Sequence, residues 1–285
     1  TLTSLQTAQN YGAKNVLFLT MKKAIKSIES DYDKFGFKFN LTVINYESMH
    51  KAIDKFDLLI LDENHTNGAY PKPSKRTREI KLRFSRLPMI MLSGTPAAES
   101  YSQWYHQFWL SAKSPFKGWA TFYKWAAVFV DVQTRHLGYA TVKDYSKAKI
   151  DVIDKLIKPY VLTFSQEEAG FSSKVNINVI NIDPINQKLI KQLKKDKFLE
   201  GKKETVLADT GATLMQKIHQ LESGTIKFES GNSQTLDKSK AEFIKERFKG
   251  KKIAIFYYYK EELALLKDVF KHHTTDLSEF NTSDK

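Results

Sequence analysis

The stretch LLILDENH, residues 58–65, decides the fold: four apolar residues stand in a row, and two carboxylates follow them at once. A run that is apolar at every position is typical of a strand buried on both faces of a parallel sheet. Similar short runs occur at residues 16–19 and 89–92, and each ends in small or polar residues. Because helical patterns such as residues 22–32 separate the runs, we expect an α/β fold with right-handed crossovers.

Polar residues stand where the predicted strands end. Thr20 follows the first run, Asp62 and Glu63 follow the second, and Ser-Gly-Thr-Pro at 93–96 follows the third. Ligands of open α/β sheets bind at the carboxyl ends of the strands, and paired carboxylates at a buried strand end are costly unless something uses them. In phosphoryl transfer one carboxylate holds magnesium and another activates water. Solvated acids and a plain strand-to-loop turn are the alternatives.

Charge and composition narrow the class of protein. The chain has 45 basic and 32 acidic residues, a net charge of +13, which favours a polyanionic partner. Cysteine is absent, which excludes disulfides, thiolate zinc sites and cysteine nucleophiles. No apolar run approaches the roughly 18 residues of a membrane span, and no signal peptide opens the chain. We therefore expect a soluble, cytoplasmic protein that contacts nucleic acid and no membrane.

A length of 285 residues favours two domains. We place the border in the short polar segment 165–174, which gives a first domain over 1–165 and a second over 166–285. The first includes an aromatic-rich helical insertion over 101–160, where core packing is favoured over base stacking because Trp104, Phe108 and Trp109 recur at helical spacing. In the second, the patterns predict strands over 175–182 and 253–259, helices over 186–199, 207–223 and 261–270, and a loop over 224–235.

Several of these segments, taken together, resemble one family. LLILDENH (58–65) and MLSGTPAAES (91–100) are similar to motifs II and III of superfamily-two DExH-type helicases, in the Gly-Thr-Pro form of Swi/Snf-like DNA translocases and phage-encoded helicases. VLFLTMKKAIKSI (16–28) resembles motif Ia, VINYESMHK (43–51) the segment after it, and residues 237–270 the start of a second lobe through motif IV. The resemblance implies two RecA-like lobes with parallel sheets flanked by helices, the second lobe incomplete.

The resemblance also implies roles in ATP hydrolysis. Asp62 would coordinate Mg²⁺ and Glu63 would be the catalytic base, both at the nucleotide. His65 would couple this site to motif III by hydrogen bonding toward Ser93 or Thr95, which flank Gly94.

The chain departs from the family at both ends. Thr1 would be the threonine of a Walker A Gly-Lys-Thr whose other residues are missing, and so would bind ATP and Mg²⁺. Motifs V and VI, with the arginine finger, are also missing. The resemblance therefore implies a fragment of a longer helicase that we expect to be inactive alone.

Two groups of residues are candidate contacts to nucleic acid. The resemblance implies phosphate contacts by Thr20, Lys22 and Lys23. Residues 72–86 hold seven basic residues against Glu79, and this density predicts a salt-sensitive, sequence-independent anchor on double-stranded DNA. A solvated helix face is the alternative. The candidate contacts in this stretch are Lys72, Lys75, Arg76 and Arg78.

The leading hypothesis is an ATP-dependent DNA helicase or translocase that couples ATP hydrolysis to movement on nucleic acid. One alternative is a truncated or degenerate helicase-like core that binds DNA without catalysis. A second alternative is an RNA helicase.

Overall fold

The computed structural model describes residues 1–53, 55–137, 140–165, 167–170, 176–183, 186–201 and 204–282. The chain divides into two compact units, Thr1–Ser172 and Ser173–Lys285. This division falls within the polar segment 165–174, and the predicted border lies after residue 165.

The first unit alternates strands and helices around a single parallel sheet. Its elements are α1 (Leu2–Tyr11), β1 (Asn15–Thr20), α2 (Ile25–Phe35), β2 (Asn40–Asn45), β3 (Leu58–Leu61), α3 (Lys75–Phe84), β4 (Met89–Met91), α4 (Gln103–Trp109), α5 (Phe122–Phe129), β5 (Gln133–Leu137), β6 (Ala140–Asp144) and α6 (Ile150–Ile157). The sheet order is β2-β1-β3-β4, and all three pairings are parallel. The predicted α/β fold is confirmed.

Both faces of this sheet are covered, which explains runs that are apolar at every position. On one face Leu17, Leu19, Leu59 and Leu61 pack with the buried residues of α3. On the other face Phe18 and Ile60, which are register partners, pack with residues from α1 and α2, namely Leu5, Ala8 and Ile28. Phe18 and the four residues of β3 are at most 2% exposed.

The aromatic-rich segment forms a layer of its own within the first unit. Tyr105, Phe116 and Trp125 are at most 2% exposed and belong to one cluster with residues from α4, α5 and α6. Trp104 stacks on Phe108 with ring centroids 5.4 Å apart. The predicted core packing of these aromatics is confirmed, although the helices are shorter than predicted and the antiparallel pair β5–β6 lies between α5 and α6.

The second unit is built from short helices and two antiparallel pairs, β7–β8 and β9–β10. Its elements are α7 (Gln187–Asp196), β7 (Phe198–Glu200), β8 (Thr205–Leu207), α8 (Gly211–Glu222), β9 (Thr225–Lys227), β10 (Ser233–Thr235), α9 (Ser239–Arg247), α10 (Lys260–Val269) and α11 (Leu277–Thr282). Ile190, Leu193, Val206, Ile218 and Leu221 belong to its larger buried cluster.

Three sequence predictions fail in this unit. The predicted strand over 253–259 does not form, and its Phe256 is 96% exposed. Residues 176–182 of the predicted strand over 175–182 are not a strand either, and residue 175 lies outside the described residues. The predicted loop over 224–235 contains the β9–β10 pair. A strand exists only when it pairs, and apolar patterning carries no information about a partner.

The second parallel sheet implied by the family resemblance is not formed by the described residues, whose strands in this unit pair only as the two antiparallel hairpins. The predicted helices over 186–199, 207–223 and 261–270 correspond to α7, α8 and α10, the first two in shortened form.

The helices are short throughout the part of the chain that the structure describes. The longest, α8, has 12 residues. No described helix is long and apolar enough to cross a membrane.

Candidate functional site

The carboxyl edge of the parallel sheet brings Thr20 and Asp62 together. From β1 the chain passes to β2 on one side and then returns to β3 on the other, so the order of connection reverses between β1 and β3. Such a reversal opens a crevice at the carboxyl ends of the two strands. There the Thr20 hydroxyl donates a hydrogen bond to Asp62 Oδ2 over 2.7 Å, and the Asp62 amide donates to the Leu19 carbonyl over 2.9 Å.

This geometry argues against the phosphate contact predicted for Thr20. Its side chain is fully buried and its hydroxyl is bound to Asp62, so it orients the carboxylate instead of presenting a hydroxyl to a nucleic-acid phosphate. The sequence could not show this, because strand-end polarity alone does not reveal which neighbouring strand end a hydroxyl faces.

Tyr46 adds a second support for Asp62. Its phenol lies just after β2 and donates a hydrogen bond to the Asp62 carbonyl oxygen. Burial, and then the nearby Asp62 carboxylate, raise the pKa of Tyr46. The phenol therefore stays protonated and remains a donor, and the ends of three neighbouring strands converge on Asp62.

Glu63 adopts a conformation that is uncommon for a residue other than glycine. Its φ and ψ are 48° and 45°, in the left-handed region, at a cost of about 1–3 kcal/mol. Its side chain is 48% exposed, and one carboxylate oxygen lies 3.3 Å from His65 Nδ1. A short 3₁₀ turn, Asn64–Asn67, begins directly after it.

His65 connects the Glu63 carboxylate to the loop after β4. Its Nδ1 lies 3.0 Å from Ser93 Oγ, and Ser93 Oγ accepts a hydrogen bond from the Thr95 amide over 3.1 Å. The predicted contact of His65 with this loop is present, and the structure selects Ser93 as its partner. Gly94 and Thr95 are exposed.

Three buried amide residues that sequence reasoning missed form a chain of hydrogen bonds that reaches this loop. Gln107 donates to the Pro96 carbonyl over 2.6 Å and accepts from Asn64 Nδ2 over 3.3 Å. Asn67 Nδ2 donates to Asn64 Oδ1 over 3.1 Å. The available signal was the type of residue, since Asn64 stands directly after the carboxylates and Gln107 lies in an aromatic-rich helix.

Thr1 lies toward the same edge of the sheet. α1 enters β1 through a short turn, and near this C-terminal end of α1 the Gln9 side chain accepts from the Lys38 amide, just before β2, over 3.0 Å. The C-terminal end of α1 is therefore at the amino edge, and its ten residues extend about 15 Å back toward the carboxyl edge. Thr1 itself is exposed, and its carbonyl accepts from Ser4 and Leu5.

The donor set at Asp62 fits a hard cation. Within the described ranges, no three His, Cys, Asp or Glu side chains are grouped closely enough to hold a metal ion by themselves. Magnesium does not need such a cage, because it keeps several waters and binds through one or two carboxylates and substrate phosphates. Asp62 Oδ2 accepts the hydrogen bond from the Thr20 hydroxyl, whereas Asp62 Oδ1 accepts no hydrogen bond from any described residue.

A cavity of about 550 Å³ adjoins the loop after β4. Asn64, Ser93, Gly94, Trp104 and Gln107 are among the residues that line it. Its volume lies within the range of about 300–1,000 Å³ that is usual for small-molecule sites. The loop therefore borders open space large enough for a ligand.

Two cations of the basic stretch serve the fold. Lys81 Nζ donates to the Trp109 carbonyl over 2.7 Å and lies 3.8 Å from the centre of its ring. Burial lowers the pKa of Lys81. The Arg83 guanidinium donates to the carbonyls of Met49 and Ala52. These two side chains join α3 to neighbouring segments of the first unit.

Arg76, one of the four candidate contacts in this stretch, is also engaged. Its guanidinium lies 3.2 Å from a Glu47 carboxylate oxygen and 5.0 Å from the centre of the Tyr46 ring. The other basic residues of 72–86 are Lys72, Lys75, Arg78 and Arg86. All four are exposed, and none of them pairs with an acid among the described residues.

Lys22 and Lys23 are also exposed. They begin a 3₁₀ turn, Lys22–Ala24, directly after Thr20 and Met21, and so lie at the carboxyl edge of the sheet. Lys72 precedes α3 and Lys75 is its first residue, so both lie between the end of β3 and the start of α3, toward the same edge. The topology thus places exposed cations toward the edge that carries Asp62 and Glu63.

No protein-family model matches this chain, and no curated protein matches its sequence. A fold of this class hosts many chemistries, so function has to be argued from the residues of the site.

Proposed function

We propose that these residues form the hydrolytic site of a nucleic-acid-stimulated ATPase, a helicase or translocase of the DExH type that moves on double-stranded DNA. The observation that carries the proposal is the Thr20–Asp62 hydrogen bond at the point where the sheet order reverses. The bridge from Glu63 through His65 to Ser93 supports it, since it joins the Glu63 carboxylate to a turn with an exposed Gly94 and Thr95.

Asp62 and Thr1 are the residues that would hold Mg²⁺. Bound Mg²⁺ would neutralise charge on the ATP phosphates. Thr20 keeps Asp62 in one orientation.

Glu63 is the proposed base. The attacking water forms a bond to the γ-phosphorus while the bond to the β–γ bridging oxygen breaks, and the water gives its proton to the Glu63 carboxylate. ADP and inorganic phosphate are the products. His65 holds this carboxylate beside Ser93, so that a change at the phosphates reaches the loop at 93–96.

The first prediction is that Glu63→Gln lowers the ATPase rate of the full-length protein by about 10²–10⁴ because the base is removed. ATP binding should persist, since the amide keeps the size of the side chain. The measurement is phosphate release with and without duplex DNA, beside equilibrium binding of ATP.

Glu99→Gln is the matched control, because Glu99 is an exposed acid a few residues beyond the same loop. It should behave as the wild type does. Normal hydrolysis by Glu63→Gln would show that Glu63 is not the base, and a wild type without ATPase would refute the proposed function.

A non-catalytic DNA-binding module is the second candidate, and the exposed cations around the carboxyl edge favour it, since binding by them needs no ATP. It predicts DNA binding that Glu63→Gln and ATP leave unchanged. Comparing ATPase stimulation by duplex DNA, single-stranded DNA and RNA separates the DNA motor from an RNA helicase.

A further inference from the structure

Gln107 is a buried amide in the middle of an aromatic helix. It lies on α4, in the sequence QWYHQFW, and is 1% exposed. A buried amide needs hydrogen-bond partners because an unsatisfied polar group destabilises the folded state. Its Nε2 donates to the carbonyls of Pro96 and Gln103, over 2.6 and 3.1 Å, and its Oε1 accepts from Asn64.

Hydrogen bonds hold both the backbone and the side chain of Asn64. It is 2% exposed, its amide N–H donates to the Leu92 carbonyl over 2.8 Å, and its Oδ1 accepts from Asn67. Asn67 is fully buried and accepts in turn from the Thr77 hydroxyl over 3.3 Å. Asn64 therefore cannot rotate without breaking these hydrogen bonds.

The two ends of this network are the two halves of the candidate site. Asn64 is the residue directly after Glu63, whose left-handed backbone persists only if the surroundings determine it. Pro96 closes the loop that carries Ser93, the partner of His65, and Thr95, whose amide donates to Ser93. Gln107 bonds to both ends at once.

We propose that Gln107 is a positioning residue for the hydrolytic site: its amide clamps Asn64 to the Pro96 carbonyl and thereby fixes the Glu63 carboxylate relative to the loop at 93–96. The chemical part of this inference rests on the proposed function, whereas the clamp itself rests on the hydrogen bonds alone.

Gln107→Met is the main test variant, because methionine keeps the length and approximate volume of the side chain and removes its donors and acceptor. Gln107→Glu keeps an acceptor for Asn64 and removes the donor to Pro96. Gln103→Met is the matched control, since Gln103 stands one turn earlier on α4 and its side chain accepts from the Glu99 and Ser100 amides.

The first measurement is amide hydrogen exchange in the full-length protein without ATP. In Gln107→Met the Thr95 and Asn64 amides should exchange about tenfold faster, with β1 and β3 unchanged, because roughly one hydrogen bond's free energy is lost at the loop. Gln107→Glu should loosen Thr95 at least as much, and Gln103→Met should leave both amides as in the wild type. Unchanged exchange in Gln107→Met would refute the clamp, and faster exchange throughout the sheet would show a role in folding instead.

The second measurement is steady-state ATPase with duplex DNA. Gln107→Met should lower kcat about tenfold and change KM for ATP less than about threefold, because misplacement of the base affects the transition state more than nucleotide binding. The double variant Asn64→Leu/Gln107→Met should be no slower than the slower single variant, since both substitutions break the same clamp. Unchanged kcat with faster loop exchange would refute the positioning role and leave the proposed function intact. Absence of ATPase in the wild type would refute the proposed function, while the exchange result still decides the clamp.

Discussion

Asp62 and Glu63 are neighbours in the chain but lie in different surroundings. Asp62 is partly buried and is held by Thr20 and Tyr46. Glu63 has a half-exposed side chain and a left-handed backbone. Two acids in unlike environments suit unlike tasks, such as holding a cation and accepting a proton. At the scale of single residues, the left-handed backbone of Glu63 is what gives the two carboxylates different surroundings.

His106 shows how one buried residue sets the response to pH. Burial lowers the pKa of His106 to about 4, although its Nδ1 contacts the Ala69 carbonyl over 2.6 Å. An unfolded histidine has a pKa of about 6.5. Between these values the unfolded chain binds the proton and the folded chain does not, so lowering the pH favours unfolding.

We therefore predict that the free energy of unfolding decreases as pH falls from about 6.5 toward 4, by roughly 3 kcal/mol in total from this residue. In His106→Gln this part of the decrease should be absent. The measurement is the urea midpoint at pH 7 and pH 5, with the exposed His50→Gln as control. An equal decrease in wild type and His106→Gln would contradict the assignment.

At the scale of one element, the basic residues of α3 fall into two groups with different surroundings. Lys81 and Arg83 bond to carbonyls within the first unit, whereas Lys75 and Arg78 are exposed. The N-cap of this helix is Ser74, whose hydroxyl accepts from the Thr77 amide over 3.1 Å. Because Thr77 also belongs to the network of Asn67, the start of α3 is tied to the candidate site.

We predict that Ser74→Ala lowers the free energy of unfolding by about 1 kcal/mol, because the N-cap hydrogen bond is removed. Ser74→Asp should restore most of it. Ser30→Ala, an exposed interior position of α2, is the control and should be neutral or slightly stabilising. Denaturant midpoints decide the outcome, and equal effects of the two alanine variants would contradict a capping role.

For the whole molecule, the net charge of +13 matters through where the exposed cations lie. The sheet topology brings Lys22, Lys23, Lys72 and Lys75 to the edge that carries Asp62. Neutralised phosphates release counterions, so such a surface gives salt-dependent, sequence-independent binding.

We predict that the triple variant Lys72→Ala, Lys75→Ala, Arg78→Ala weakens binding to duplex DNA of any sequence. The slope of log K against log salt should shrink by about 0.9 for each DNA phosphate that the variant no longer neutralises. The control removes the same charge from exposed positions elsewhere in the first unit, Lys113, Lys117 and Lys124. Fluorescence anisotropy across a salt series measures DNA binding by the triple variant and by the control variant. Equal slopes of log K against log salt for the two variants would contradict a local binding surface.

Particular residues show how far the sequence could lead. The strands around Phe18 and Ile60 could be predicted because a strand that is buried on both faces is apolar at every position. The contact between His65 and Ser93 followed from the family resemblance. The exposed segment around Phe256 shows the limit, since its apolar pattern could not reveal that it pairs with no strand in the described chain.

The sequence by itself determined the parallel sheet of the first unit and the position of Asp62 and Glu63 at a strand end, because both follow from the order of neighbouring residues. Only the tertiary structure decided that Thr20 orients Asp62, that Lys81 and Arg83 serve the fold, and that Gln107 bonds to both Asn64 and the loop at 93–96. The reason is distance along the chain: Asn64 and Gln107 are 43 residues apart, and local periodicity carries no record of a partner that far away.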